Sequence, residues 1–206
     1  DAEAAEKAGF EHFMMKEIHE QPKAVRDTLN SVLVDGKLDM SAVGLSDEDI
    51  KKIDQICIVA CGSAYHVGVA AQYVIEDLAQ IPVRTELASE FRYRKPLLSK
   101  NELVIIVSQS GETADSLAAL RLAKEKGIKT LGIVNVVGSS IAREADNVFY
   151  TLAGPEIAVA TTKAYSTQLI AAYCLAIQFA IVRGTIDEAK YLELIQEMAQ
   201  LPDKIQ

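Results

Sequence analysis

LVIIVSQSGET, residues 103–113, joins an apolar run to a turn rich in hydroxyls. Leu103, Val104, Ile105, Ile106 and Val107 form an unbroken apolar run that ends abruptly in Ser108, Gln109, Ser110 and Gly111. A short apolar run closed by a turn signals a strand buried on both faces, as in a parallel sheet covered by helices. After it, Thr113 opens the helix-forming stretch ADSLAALRLAKEK. Such a turn can hold an anion without Lys or Arg. Hydroxyls and an amide supply donors, Gly111 permits positive φ or close approach, and a helix N-terminus adds unpaired N–H groups and the positive end of its dipole. The same residues also fit a plain strand-to-helix turn, with Ser110 as the N-cap and Glu112 and Asp115 favouring the first helical turn.

Half of the 206 residues are hydrophobic, which suits one large domain or a domain with added helices. Acidic residues exceed basic ones by 29 to 21, a formal charge of −8, and no block of Lys and Arg tracks a phosphate backbone. Nucleic acid is therefore not an expected partner. Cys57, Cys61 and Cys174 are odd in number and contain no CxxC pair, so neither a disulfide framework nor a zinc site is indicated. A cytoplasmic location fits them, and the charged, alanine-rich N-terminus lacks a signal peptide's apolar centre. Residues 164–182, AYSTQLIAAYCLAIQFAIV, are uncharged between Lys163 and Arg183. They approach the ~20 residues of a membrane span. Ser166, Thr167, Gln168 and Gln178 interrupt the run, so the expectation is a helix buried within the protein and no membrane.

Taken in order, residues 1–34 predict helix in two pieces, broken near Glu20 and Gln21, with Pro22 starting the second. Phe10, Phe13, Met14 and Ile18 make an apolar stripe suited to core or interface packing. His12 and His19 read as surface or packing histidines. Residues 35–49 are a polar stretch with Ser46 as an N-cap before Asp47, Glu48 and Asp49. The sheet is expected to begin at residues 56–60, followed by a helix over 65–79 and a second strand over 83–87. Beyond the opening stretch, Gly127 is a C-cap, residues 130–134 a further strand, 141–145 a short helix and 148–152 a fifth strand. Val159, Ala160, Thr161, Thr162 and Lys163 precede the long apolar helix, and their hydroxyls fit either N-caps or a third wall of a pocket. A last helix is capped by Asp187 and stops at Pro202.

Strands separated by helices predict an α/β fold: a three-layer, flavodoxin-like doubly wound sandwich around a mostly parallel sheet of about five strands, with N-terminal helices added. Ligands of such sheets collect at the carboxyl ends of the strands. Gly62 and Ser63 after the first strand, and residues 108–113 after the third, should emerge on one edge and can meet on one ligand.

Five blocks support a resemblance: CGSAYH at 61–66, ELASEFRYR at 86–94, SQSGETADSLAALR at 108–121, VGSSIARE at 137–144 and PEIAVATTKAYSTQ at 155–168. In this order they resemble the isomerase part of the glucosamine-6-phosphate synthase family, the glutamine:fructose-6-phosphate aminotransferases. EHFMMKEIHEQP at 11–22 resembles the segment entering that part. The resemblance implies the first of two sugar isomerase (SIS) subdomains, with residues 1–46 leading in and residues 47–206 forming the phosphosugar-binding domain. It implies sugar-phosphate contacts from Ser63, Ser108, Gln109, Ser110, Thr113, Val159 and Thr161. Ala64 stands where the family's CGTS loop has serine, and Thr161 where relatives usually have serine.

The resemblance further implies ligands among fructose 6-phosphate, glucose 6-phosphate and glucosamine 6-phosphate, a homodimer, and partnership with a glutaminase domain and a second SIS subdomain. In relatives the proton-transferring glutamate and the ring-opening histidine belong to the second SIS subdomain, and the Schiff-base lysine to a C-terminal tail. No catalytic residue is therefore assigned here, the isolated chain is expected to be inactive, and no metal or organic cofactor is called for. Glu112 is expected to turn away from a bound phosphate or cap a helix. Two other readings fit less of the sequence. One is a stand-alone phosphosugar-sensing SIS module without turnover, and the other a flavodoxin-like FMN binder, whose phosphate loop would follow the first strand.

Overall fold

The computed structural model describes residues 6–206. Its elements run α1 (Phe13–Asn30), β1 (Leu33–Val34), β2 (Lys37–Leu38), α2 (Asp47–Lys52), β3 (Gln55–Ala60), α3 (Ser63–Ala79), β4 (Val83–Leu87), α4 (Ala88–Phe91), β5 (Glu102–Ser108), α5 (Ala114–Glu125), β6 (Lys129–Val134), α6 (Ser140–Glu144), β7 (Asn147–Tyr150), α7 (Lys163–Arg183) and α8 (Glu188–Ile205). The main sheet is five-stranded and wholly parallel, in the order β4-β3-β5-β6-β7. This is a doubly wound order, and strand direction of growth reverses between β3 and β5.

Residue alternation along the strands divides the core into two layers. Leu103, Ile105 and Val107 join Ile56, Ile58 and Ala60 in the cluster that α3 and α7 cover. Val104 and Ile106 join Cys57 and Val59 in the opposite cluster, against Ala119, Leu120 and Ala123 of α5. All five apolar residues of the opening run are at most 2% exposed, so β5 is the doubly covered central strand its sequence predicts. α7 is the one helix among the described residues long and apolar enough to cross a membrane, and it packs within the protein against α3 and α1. Burial there pushes the Cys174 thiol up to about 12, and burial on the other layer does the same to Cys57.

The block 86–94 is spent on architecture. Phe91 is fully buried, and Glu86 accepts from Arg84 Nε at 3.0 Å and from Arg94 Nε at 2.8 Å. Arg84 also reaches the buried Glu102 at 2.6 Å, where burial pushes the carboxyl up against the opposing pull of the Ser99 amide and Arg84.

The structure departs from the sequence reading at several points. The two N-terminal helical pieces are one helix: α1 passes through Pro22 without a break near Glu20 and Gln21. Pro22 has no N–H for the Ile18 carbonyl, and Gln21 Nε2 donates to that carbonyl instead, at 3.2 Å. Residues 6–12 precede the helix, and the part of that expectation on residues 1–5 lies outside the described residues. The stripe of Met14 and Ile18 is 42% and 37% exposed, so it is not core packing within this chain. The buried face of α1 carries Lys16, Glu17, Ala24, Val25, Thr28 and Leu29. His12 and His19 are exposed.

Residues 35–49 hold more structure than their polarity suggests. Asp35 and Gly36 take φ of 50° and 75°, the two left-handed central residues of a tight turn joining β1 to β2. Leu38, Met40, Val43 and Leu45 are buried behind it. Ser46 caps α2 reciprocally with Asp49, as its spacing predicts. α8 runs on to Ile205 through Pro202 rather than stopping there, since a proline near a helix end removes one N–H without forbidding helical φ.

Candidate functional site

Two turns leave the sheet at the carboxyl ends of β3 and β5, on either side of the reversal point. After Ala60 the chain passes Cys61 and reaches Gly62, whose φ of 58° and ψ of −134° suit only glycine, and Ser63 is then the first residue of α3. After β5, Ser108 is 3% exposed. Its hydroxyl accepts from the Gly111 N–H at 3.1 Å and shares a 2.9 Å hydrogen bond with Thr113 Oγ1. Two hydroxyls sharing one bond use one proton between them. The other proton is left to point elsewhere, whichever partner donates. Thr113, not Ser110, occupies the N-cap position of α5, and its hydroxyl pairs with Ser108 rather than capping the helix. Ser110 Oγ accepts from the Glu112 N–H at 3.2 Å.

Gly111 needs its missing side chain twice over. Its φ is 65°, and an added Cβ would lie 2.6 Å from Ser139 Cβ. The close approach is thus to the loop ahead of α6. Glu112 turns to that same loop: its carboxylate accepts from the Ser140 N–H at 2.7 Å, and hydrogen bonding by Ser140 holds it below the usual carboxylate range. This matches the expectation that Glu112 turns away from the turn's interior.

A third wall comes from residues 151–162, between β7 and α7. Glu156 organises its C-terminal half. One carboxylate oxygen accepts from Thr161 Oγ1 at 2.9 Å, and the other from the N–H groups of Thr162 at 3.2 Å and Ala164 at 3.0 Å. The carboxylate therefore caps α7, a favourable place for negative charge, and the threonines at 161 and 162 do not.

These three segments line an open cavity of about 260 Å³. Ser63, Ser108, Gln109, Ser110, Thr113, Val159 and Thr161 all line it, so every site residue expected from the sequence is brought to one place. Ala64 lines it too, without a hydroxyl. Glu156 and Gln168 also line the cavity and were not singled out by sequence reasoning. The signal for Glu156 was a carboxylate just ahead of a long helix; Gln168 read only as an interruption of an apolar run. None of the lining residues is Lys or Arg. Any anion bound here is held by hydroxyls, an amide and the first-turn N–H groups of α5. Among the described residues no cluster of His, Cys, Asp and Glu is arranged to hold a metal.

Residues 49–178 match the SIS domain family. The chain is 56% identical over 207 residues to a glutamine--fructose-6-phosphate aminotransferase [isomerizing] of Caldanaerobacter subterraneus subsp. tengcongensis, covering 100% of this chain and 34% of that protein. It is 56% identical over 205 residues to the one of Clostridium tetani, covering 99% of this chain and 34% of the relative. It thus spans about a third of the length of these relatives. Among solved structures, the C-terminal domain of glucosamine-fructose-6-phosphate aminotransferase from Francisella tularensis superposes with a TM-score of 0.92 at 39% identity, over 96% of this chain and 55% of that one. A glucosamine-6-phosphate deaminase from Thermotoga maritima shares the fold alone, with a TM-score of 0.69 at 23% identity over 92% of this chain and 54% of that one.

Proposed function

Because the chain belongs to the SIS domain family, we propose that it is the first sugar-isomerase subdomain of an isomerizing glutamine:fructose-6-phosphate aminotransferase. Residues 47–206 form its phosphosugar-binding domain and residues 1–46 lead into it. Its cavity holds the phosphate of fructose 6-phosphate and of the product glucosamine 6-phosphate. The observation that carries this reading is the meeting of three sequence-distant segments, rich in hydroxyls, around one cavity at the reversal point of the sheet.

In this role Ser108 and Thr113 offer the spare hydroxyl proton, Ser63, Ser110 and Gln109 add donors, and the start of α5 supplies N–H groups and dipole. Val159 and Thr161 face the sugar from the third wall. The contribution is positioning, which lowers a barrier without any proton being moved by these residues. The reacting carbons are served by a second SIS subdomain, and the nitrogen by a glutaminase domain of the same parent enzyme. The exposed Met14, Met15 and Ile18 suit burial in a homodimer, and the unpaired cysteines suit the cytoplasm.

Calorimetric titration of the 206-residue chain with fructose 6-phosphate tests the reading. Weak, millimolar binding is expected, because this chain supplies only the phosphate side of the pocket and the groups around the reacting carbons belong to the rest of the parent enzyme. No response at such concentrations, while the parent enzyme binds, contradicts it. The isolated chain should make no glucosamine 6-phosphate from glutamine or ammonia, and turnover would show catalytic residues to have been missed.

A further inference from the structure

Residues 151–162 contain neither helix nor strand, so their backbone N–H groups depend on side-chain and loop partners in place of a regular ladder. Thr28 Oγ1 accepts from Leu152, Asn135 Oδ1 from Ala153, and Glu156 from Thr162. The centre of the segment is held by Glu17 of α1. Its carboxylate accepts from the Ile157 N–H at 2.6 Å and from the Ala158 N–H at 3.2 and 3.3 Å. Glu17 is 2% exposed.

Burying a carboxylate is costly unless hydrogen bonds compensate it, and docking α1 does not require this one. Glu20 already reaches Lys163 at 2.6 Å, Gln21 accepts from Ser166 Oγ at 2.6 Å, and Ala24, Val25 and Leu29 bury an apolar face. What Glu17 adds is the placement of the two peptide groups immediately before Val159. Ala158, Val159 and Thr161 line the cavity, and Glu17 does not.

We propose that Glu17 is a positioning residue for phosphosugar binding, fixing the third wall of the cavity through the Ile157 and Ala158 amides. This rests on the cavity being the phosphosugar site. The phosphate handle at residues 108–113 is on a different segment, and the Glu17 carboxylate accepts from Ile157 and Ala158 rather than from that turn. A sugar phosphate should therefore feel the loss of Glu17 while inorganic phosphate does not.

The experiment compares the 206-residue chain with its Glu17→Gln and Ser166→Ala variants, titrated with fructose 6-phosphate and with inorganic phosphate. Glu17→Gln should weaken fructose 6-phosphate about five- to tenfold, the loss expected of a charge-assisted bond, and leave inorganic phosphate within about twofold. Ser166→Ala, which removes another contact of α1, should leave both unchanged. Equal affinity of wild type and Glu17→Gln for fructose 6-phosphate overturns the inference alone, as does parallel weakening of both ligands. Failure of the wild type to bind fructose 6-phosphate overturns the phosphosugar reading and this inference with it. Amide exchange in the wild type needs no variant to fold: Ile157 and Ala158 should exchange slowly for a loop, and rapid exchange there contradicts the proposal.

Discussion

Replacing Gly111 by alanine should damage stability and site together, and the size of the effect follows from the geometry. The new Cβ would sit 2.0 Å from Ser139 Oγ and 2.6 Å from Ser139 Cβ. The hydroxyl can rotate away, but the Cβ moves only with its backbone. Moving that backbone pulls Ser140 from Glu112 and Ile141 from the Gly111 carbonyl, bonds of 2.7 and 3.0 Å. Left-handed φ costs alanine about 1 kcal/mol, and each lost bond about 1 kcal/mol more, for a loss of about 3 kcal/mol. For a chain of this size that lowers Tm by about 6–12 °C, read by calorimetry or circular dichroism. In a Ser139→Gly background the same substitution should cost only the backbone's share, about 1 kcal/mol. A Gly111→Ala melting temperature within about 2 °C of wild type would refute the close packing of the two loops.

Ser110→Ala should weaken fructose 6-phosphate binding by about 1 kcal/mol or more in calorimetry, and unchanged affinity would confine Ser110 to its bond with the Glu112 N–H. Asp146 should contribute to acid sensitivity. Burial alone would raise its carboxyl, but hydrogen bonds from Lys124 and Thr130 outweigh burial and hold it below its ordinary value of 3.8. A depressed folded-state value adds stability above 3.8 that is lost as pH falls through the folded-state value, so the deficit of Asp146→Asn against wild type should shrink on acidification. Urea unfolding at about pH 6 and about pH 3 reads this, and a deficit that is constant or grows refutes it. With Cys57 and Cys174 buried and pushed up to about 12, only Cys61 should react readily with a thiol reagent in the native chain. Fast reaction of more than one thiol contradicts the packing of β3 or α7.

The five strands of the main sheet, their order along the chain and the two main turns were legible because each rests on local pattern, whereas β1 falls where residues 1–34 predict helix. The apolar run of β5, the β-branched residues of β3 and the turn glycines all act within a few residues of themselves. The misses share a different cause. Pro22 reads as the start of a second piece after a break, whereas in the structure the Gln21 side chain donates to the Ile18 carbonyl that Pro22 leaves without its N–H and α1 is continuous. Leu38, Met40, Val43 and Leu45 are diluted by charged neighbours and show their burial only when the β1–β2 turn folds them inward. Glu17 meets Ile157 and Ala158 across a sequence separation of 140 residues or more, and no periodicity or spacing encodes such a contact. Glu156 was nearer to legible, as a carboxylate before a helix, yet the adjacent threonines were the more obvious caps.

Backbone amide resonances of the chain, followed during titration with fructose 6-phosphate, report whether the cavity is a phosphosugar site. Concentration-dependent shifts should be concentrated at Ser63, at residues 108–113 and at residues 158–161, with the amides of α2 and α8 unmoved. Absence of shifts at residues 108–113, or shifts confined to another surface of the protein, would contradict that assignment.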